Sequence, residues 1–383
     1  STRGDILPEE YLRELEKLQD EVGPFPFETV EAIITAELAA PLQSIFSSFE
    51  RQPLNSASIA QVHRATLVDG TDCVVKVQRP DIARVIAQDV EVIQEIARIA
   101  ERRIPELGRF QIVNLVEDFG KGLQRQLDFL YEAGMMEKTR SAFADAGIVV
   151  PKVFWKQSTK RVLVMEEFKG KKVTDVPHAG ERVARTLVKS VFQVFFGTGF
   201  FHGDLHPGNV LYSVDGSLGL VDFGLAGYLS LAKRKNLWAI ITGTLKGDIE
   251  GCIPPIRRLF DIPRETPQLE AEISLFVNRY SCIPMMKIHF GDLVQQLLRM
   301  GRTINVRIDA DLALFGKMVI HLESLCASLA PEANLLELSA EYWNDLIKKG
   351  VQRYMWFSEA KEVALSYRDL FVSLPGDWEK FVR

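Results

Sequence analysis

Long blocks of one charge are missing from this chain: 46 Lys and Arg stand against 51 Asp and Glu in 383 residues, a net charge of −5. A general electrostatic grip on nucleic acid needs a basic face or stripe, so nucleic acid is not an expected partner. Cysteine is sparse too. Cys73, Cys252, Cys282 and Cys326 lie far apart with no CxxC pair, which argues against a disulfide framework or a thiolate zinc site and fits a reducing compartment. No long apolar run stands out. The most apolar stretch, 186–201, is broken by Lys189, Gln193 and Gly197-Thr198-Gly199 and falls short of the roughly 20 residues a helical span needs, so no transmembrane helix is expected. The opening STRGDILPEEY lacks the basic-then-apolar profile of a signal peptide and reads as the cut edge of a longer protein. Internal repeats and low-complexity tracts are absent as well. With 47% apolar residues, disorder and fibres are excluded, and the length suggests two to three lobes.

What is present reads as alternating elements. Residues 1–40 suggest two helices, with Leu12, Leu15 and Leu18 on one face and Val30, Ile33, Ile34 and Leu38 on another, broken at GPFPF (23–27). IAQVHRATL (59–67) and CVVKVQ (73–78) are rich in β-formers and separated by Asp69-Gly70, a hairpin signal. A long helix follows from Ile82, closed by ArgArgIlePro (102–105), then a second helical run from about Ile112 to Phe143. Strands return at KVFW (152–155) and RVLVMEEF (161–168) and are expected to pair. A helix over about 181–196 leads into FFHGDLHPGNVLY, two short strands flank Asp215-Gly216, and everything after Leu229 is helical in period with loops at prolines and glycines. The fold class is therefore α+β, a small β-rich lobe joined to a larger helical one.

The most informative run is His202-Gly203-Asp204-Leu205-His206-Pro207-Gly208-Asn209, with Asp222-Phe223-Gly224 following thirteen residues after Asn209. Glycines and proline forbid a helix in the run. Phosphoryl transfer needs a carboxylate near the attacking oxygen, here Asp204, and an amide plus a second carboxylate on Mg²⁺, here Asn209 and Asp222. Otherwise Asp204 and Asn209 merely cap turns. Lys76, inside the apolar strand, needs an anionic partner or an exposed face, and phosphate oxygens would serve. Glu132, on a helix whose apolar face includes Leu123, Leu127 and Leu130, is a candidate to hold that ammonium. Between the first two strands a glycine-rich phosphate cover would read GxGxxG, but the segment is Asn55-Ser56-Ala57-Ser58-Ile59-Ala60. Its small side chains still let backbone N–H groups approach phosphate, yet Ala and Ser reach φ > 0 less easily than glycine, so the loop should be stiffer. His202 and His206 are four apart, but Gly203 and Pro207 argue against a helical metal face. His63, His178, His289 and His321 stand alone as core or surface residues, LysArgLys (233–235) reads as a solvated face, and Phe192, Phe195, Phe196, Phe200 and Phe201 as packing for the catalytic loop.

These residues resemble the UbiB/ADCK atypical kinase family, the aarF-domain proteins tied to coenzyme Q and other isoprenoid quinones. The resemblance covers most of the chain: SASIAQVHRA (56–65), VVKVQRPDI (74–82), DFLYEA (128–133), MEEF (165–168), HGDLHPGN (202–209) and VDFG (221–224). It implies a bilobal protein-kinase-like fold. In this arrangement a helical extension (1–45) would precede an N-lobe (46–168) with a helical insert (81–145), followed by a helical C-lobe (169–383). It also implies ATP and Mg²⁺ as cofactors. Lys76 would lie on the nucleotide phosphates, paired by Glu132, with the small-residue loop Ser56, Ala57, Ser58, Ile59 and Ala60 over them. Adenine would sit at the Glu166, Glu167, Phe168 hinge behind Met165, Asn209 and Asp222 would hold the metal, and Asp204 would be the catalytic acid or base. Three departures stand out. The KxGQ segment that the family normally places just before residues like 1–8 is not in this sequence, the family's Glu-x-Asp is Gln126-Leu127-Asp128, and the sequence stops short of the membrane-anchoring segments in which the family often continues, so both ends read as trimmed.

Protein kinases place an Arg before the catalytic Asp to read a phosphorylated activation loop, but Gly203 stands there and no Ala-Pro-Glu follows Asp222. The expectation is Mg²⁺-ATP binding with slow hydrolysis, or phosphotransfer to a lipid or quinone-precursor acceptor. The alternative is a non-catalytic ATP-dependent module that engages a membrane or a quinone-biosynthesis complex. Aminoglycoside- or choline-type kinases share HGDxxxxN but lack SASIAQVH and the long insert between Lys76 and Glu132. A bacterial cytoplasmic face, the mitochondrial matrix and a plastid all fit, peripheral to a membrane.

Overall fold

Period-two alternation decides the first sheet. Along strand β4 (Asp72–Gln78), Cys73, Val75 and Val77 are wholly buried in one apolar cluster with Val30, Ile33 and Ile34 of helix α1 (Phe27–Leu38). Each such valine contributes on the order of 1.5–3 kcal/mol. The intervening Val74, Lys76 and Gln78 must then face the other side of the sheet. This computed structural model describes residues 23–104, 112–176, 180–263, 268–284, 287–304 and 308–335, together with 266, 306, 337–339 and 342. The first helix expected from the sequence, and His178, lie outside them.

The described residues divide into two compact units, one drawn from residues before 141 and from 151–169, the other from 141–150 and from 170 onward. In the first, helix α2 (Leu42–Ile45) leads into strand β1 (Phe46–Phe49), then β2 (Asn55–Ser56) and β3 (Ala60–Leu67). With β4 and β6 (Val162–Glu166) they form an antiparallel sheet in the order β1-β3-β4-β6, with β2 on β3. The Asp69-Gly70 turn carries Gly70 at φ 88°, where only glycine is unstrained. The KVFW segment pairs with β6 only through a bridge from Val153 to Met165, and Trp155–Gln157 is a 3₁₀ turn.

Helix α3 (Ile82–Arg103) follows β4. The second helical run is not one helix but two, α4 (Ile112–Gln126) and α5 (Phe129–Asp145). Asp128 makes the break, because its carboxylate accepts the Leu130 N–H (3.0 Å) and its carbonyl accepts from Tyr131 and Glu132. That capping geometry overrides the apolar period shared by Leu123, Leu127 and Leu130.

The second unit holds a four-stranded sheet in the order β5 (Ile148–Val149), β10 (Leu218–Leu220), β9 (Val210–Tyr212), β7 (Lys171–Lys172). A two-stranded pair joins β8 (Phe200–His202) to β11 (Ala226–Tyr228). Around them run α6 (Gly180–Thr198), α7 (Leu231–Lys246), α8 (Ile249–Leu259), α9 (Leu269–Ser281), α10 (Phe290–Thr303) and α11 (Ala310–Leu329). Three readings need correction here. Helix α8 runs through Pro254 and Pro255 instead of stopping, with Cys252, Pro255, Ile256 and Leu259 buried. Arg234 is no solvated residue: it is buried, and its guanidinium donates to the carbonyls of Leu229 (3.2 Å), Phe195 (3.2 Å) and Phe196. Finally, among the described residues α11, not 186–201, is long and apolar enough to cross a membrane by length and composition. It packs on α10 and α6 through buried Leu312, Phe315, Met318 and Leu322.

Candidate active site

Because β4 alternates, Lys76 emerges on the face opposite α1, beside Leu163 and Met165, whose register on β6 puts them across from Lys76 and Val74. Helix α5 meets that face with its first turn. Lys76 Nζ lies 2.9 Å from each Glu132 carboxylate oxygen and 5.3 Å from the Phe129 ring centre, with Lys76 6% and Glu132 1% exposed. An acidic residue in a helix's first turn also suits its dipole. The helix break serves this contact: Gln78 donates through Nε2 to the Leu127 carbonyl (2.7 Å), fixing the linker five residues before Glu132.

The 56–60 loop is fastened from beneath by Arg79. Its guanidinium donates to the Ala57 carbonyl (2.8 Å), the Ser56 hydroxyl (2.8 Å) and the Gly23 carbonyl (2.9 Å), while the Arg79 N–H donates to Ile59 (2.9 Å). The Ala57 N–H closes the turn onto the Ala60 carbonyl (2.8 Å). Sequence reasoning passed over Arg79, although a cation next to Pro80 at a strand end was a visible signal. At the end of β6, Met165 is buried, the Glu166 N–H donates to the Lys152 carbonyl (2.8 Å), and Glu167 accepts from Arg64 (2.8 Å).

In the second unit the run 202–209 connects β8 to β9. His202 is fully buried, its Nδ1 faces the Asp204 N–H (3.2 Å) and its Nε2 the Val221 carbonyl (3.2 Å). An amide can only donate and a carbonyl only accept, so the imidazole is the neutral Nε2–H tautomer. Burial lowers its pKa, outweighing the opposing pull of Val221, which keeps it so. His202 is thus a bracket between the two halves of the motif, and Phe223 packs edge-on against it at 4.8 Å. Asn209 donates through Nδ2 to the Asp204 carbonyl (3.0 Å), and its own carbonyl accepts the Val221 N–H (3.1 Å). Asp222 follows in the left-handed region at φ 61°, with its carboxylate accepting from Gly224 N–H (3.2 Å). A non-glycine residue there is held by its surroundings. Asn209 thus ties the Asp204 backbone through its side chain and, through its own carbonyl, the Val221 N–H next to Asp222.

Two residues that sequence reasoning missed complete this cluster. Lys317 Nζ and His321 Nδ1, both on α11, each lie 3.1 Å from Asp204 Oδ1. The imidazole is close without the alignment of a hydrogen bond. His321 is thus not the isolated histidine the sequence suggested. Burial alone would raise the Asp204 pKa, but His321 and the Lys317 charge outweigh it and bring it down to about 2. The carboxylate is then stabilising above its ordinary value of 3.8, and that contribution is lost as pH falls through about 2. Urea unfolding should accordingly show the advantage of the parent over Asp204→Asn shrinking between pH 4 and pH 2 and constant from pH 5 to pH 7.

Geometry of this kind invites comparison with known proteins. The family model of the ABC1 atypical kinase-like domain matches residues 17–254, more than half of the chain. The chain belongs to this atypical kinase family. A second model, the UbiB helical domain, matches residues 273–334, so Lys317 and His321 come from a different matched region than Asp204. Similar curated proteins are the probable protein kinase UbiB of Marinobacter nauticus, 32% identical over 372 residues (92% of this chain, 66% of that protein), and its namesake in Pseudomonas paraeruginosa, 34% identical over 348 residues (88% and 65%). The chain spans about two-thirds of the length of these relatives. A Mycobacterium tuberculosis protein solved as its erythromycin complex shares the fold, with TM-score 0.59 and 23% identity over 89% of each chain. At the coarse level, membership makes this a kinase-type protein, as the α+β arrangement of a sheet-rich first part and a helical second part already indicated.

Proposed function

We propose that this ABC1-family chain binds Mg²⁺-ATP and turns it over slowly, by hydrolysis or by transfer to a lipid or quinone-precursor hydroxyl, in support of isoprenoid quinone synthesis at a membrane surface. The observation that carries the reading is the pair of bonds through Asn209, whose Nδ2 donates to the Asp204 carbonyl and whose own carbonyl accepts the N–H of Val221, the residue before Asp222. Amide and carboxylate oxygens are hard donors that fit Mg²⁺. Asn209 and Asp222 would hold it, and its charge would neutralise phosphate oxygens. Lys76, kept as a fixed ammonium by Glu132, serves phosphate oxygens too, the Ser56–Ala60 loop covers them, and adenine takes the Glu166–Phe168 segment behind Met165. Asp204 orients the attacking oxygen. The relatives' shared name supports the quinone setting.

Protein substrates fit less well. An Arg in place of Gly203 has no room, since even a Cβ there would stand 2.2 Å from the Leu225 carbonyl oxygen. The stiffening of the 56–60 loop by Arg79 favours a second reading, an ATP-set conformational module engaging a membrane or a quinone-pathway complex. Titration of Mg²⁺-ATP against the parent and against Lys76→Ala with Asp222→Ala tests the first claim. Affinity should fall at least about thirtyfold in the double variant, and an unchanged Kd would remove the proposal. Phosphate release with lipid vesicles and a quinone-precursor analogue then separates turnover from binding alone.

A further inference from the structure

Transfer of a phosphoryl group spreads negative charge over three oxygens, and kinases and ATPases meet it with cations beyond the metal. The 202–209 loop contains none. His202 is buried and neutral, Gly203 and Leu205 flank Asp204, and His206 turns its Nδ1 to the Gly208 N–H (3.3 Å). A positive charge beside Asp204 must come from another element, and α11 brings one.

That helix is fixed across the loop at several points. Asp309 caps its N-terminus, accepting from the N–H groups of Asp311 (3.0 Å) and Leu312 (3.2 Å), and is itself bound by Lys233 at 2.9 Å. One turn on, Leu314 packs on Gly203, with its side chain 2.7 Å from where a Cβ would stand. Lys317 and His321 then reach Asp204 Oδ1. Positions 314, 317 and 321 follow the three- and four-residue steps that share a helix face. The Lys317 side chain is 42% exposed, so a substrate can reach it, and an ion pair exposed to that degree adds little to stability.

We propose that Lys317 is a catalytic residue of the phosphoryl-transfer step, touching the transferring group from beside Asp204, and that His321, whose Nδ1 lies 3.1 Å from the same carboxylate oxygen, is a positioning residue that packs against it. The helical domain would then be part of the active site. With water as acceptor, the bond from the bridging oxygen to the γ-phosphorus breaks with its electron pair staying on ADP. A bond from the water oxygen to phosphorus forms, and a proton leaves to solvent with phosphate.

This assignment rests on the Mg²⁺-nucleotide reading above, and the test separates the two. Mg²⁺-ATP affinity, kcat, KM and Tm are measured for the parent, Lys317→Met and Lys317→Arg, together with the affinity for Mg²⁺-ADP with aluminium fluoride, which imitates the planar transferring group. We expect Lys317→Met to lower kcat about a hundredfold and the aluminium fluoride complex by a similar factor, with ATP affinity within threefold and Tm within about 2 °C of the parent. Lys317→Arg should recover at least a tenth of kcat. His321→Ala should lower kcat less than Lys317→Met does. A parent that binds no Mg²⁺-nucleotide would overturn both readings. A parent that binds, with Lys317→Met matching it in kcat and in aluminium fluoride affinity, would overturn this one alone. The aluminium fluoride measurement decides even where turnover is too slow to follow.

Discussion

Gly203→Ala should destabilise the chain by about 3 kcal/mol or more, and Gly203→Arg should yield no folded protein. The position has no left-handed φ, so the requirement for glycine is purely one of space. A Cβ would stand 2.2 Å from the Leu225 carbonyl oxygen and 2.7 Å from Leu314. The backbone cannot move away to make room, because the Gly203 N–H donates to the same Leu225 carbonyl at 2.7 Å. Relief would break a buried hydrogen bond, at a cost of about 1–3 kcal/mol on top of the overpacking. Chemical denaturation of Gly203→Ala checks the magnitude, and a loss under 1 kcal/mol would show that the approach is looser than described. Adding Leu314→Ala should recover only a small part, since the carbonyl and not the side chain is the harder obstacle.

The same crowding explains what was legible in the sequence and what was not. A loop held by hydrogen bonds to the backbone at Gly203, Asp204, Gly208 and Asn209 leaves a dense local signature, and HGDLHPGN followed by DFG carries it in the sequence. CVVKVQ likewise marked Lys76 as a lysine in an apolar strand that needs an anionic partner or an exposed face, although not which side of the sheet it takes. Local patterns failed where two local rules competed. At Leu123, Leu127 and Leu130 the helical period ran on across a break that Asp128 imposes, and at Pro254-Pro255 burial of one face outweighed the usual stop signal. They also failed where a polar residue finds its partner far along the chain. Arg234, Lys317 and His321 carry no motif, and only the fold brings Arg234 to the carbonyls of α6 or Lys317 to Asp204.

Legibility therefore tracked the distance over which each constraint acts. Asp222 is the intermediate case. Its type and spacing were readable, whereas its left-handed backbone was not, since nothing in Val221-Asp222-Phe223-Gly224 demands it. The conformation follows from two tethers on either side, the Val221 N–H on Asn209 and the Gly224 N–H on the Asp222 carboxylate itself. Asp tolerates that region better than most residues do.

Glu132→Ala should cost about 3–5 kcal/mol of folding stability, the range for removing one partner of a buried ion pair. Glu132 offers both oxygens to Lys76 at 2.9 Å, and the two residues are 1% and 6% exposed, so the variant leaves a desolvated ammonium without its carboxylate. The pair itself need not be a net source of stability. Two charges taken out of water lose much of what their attraction returns, and an apolar pair of similar volume often does as well. Lys76→Met combined with Glu132→Leu should therefore regain most of the stability, helped by the neighbouring apolar surface of Leu163 and Phe129. Phosphate affinity separates the two roles. The double variant should unfold in urea near the parent midpoint and yet bind Mg²⁺-ATP at least about thirtyfold more weakly, because the ammonium proposed to meet the phosphates is gone. Equal instability of the single and double variants would mean that the strand needs these charges for its packing. Undiminished nucleotide affinity in the stable double variant would mean that Lys76 serves the fold alone.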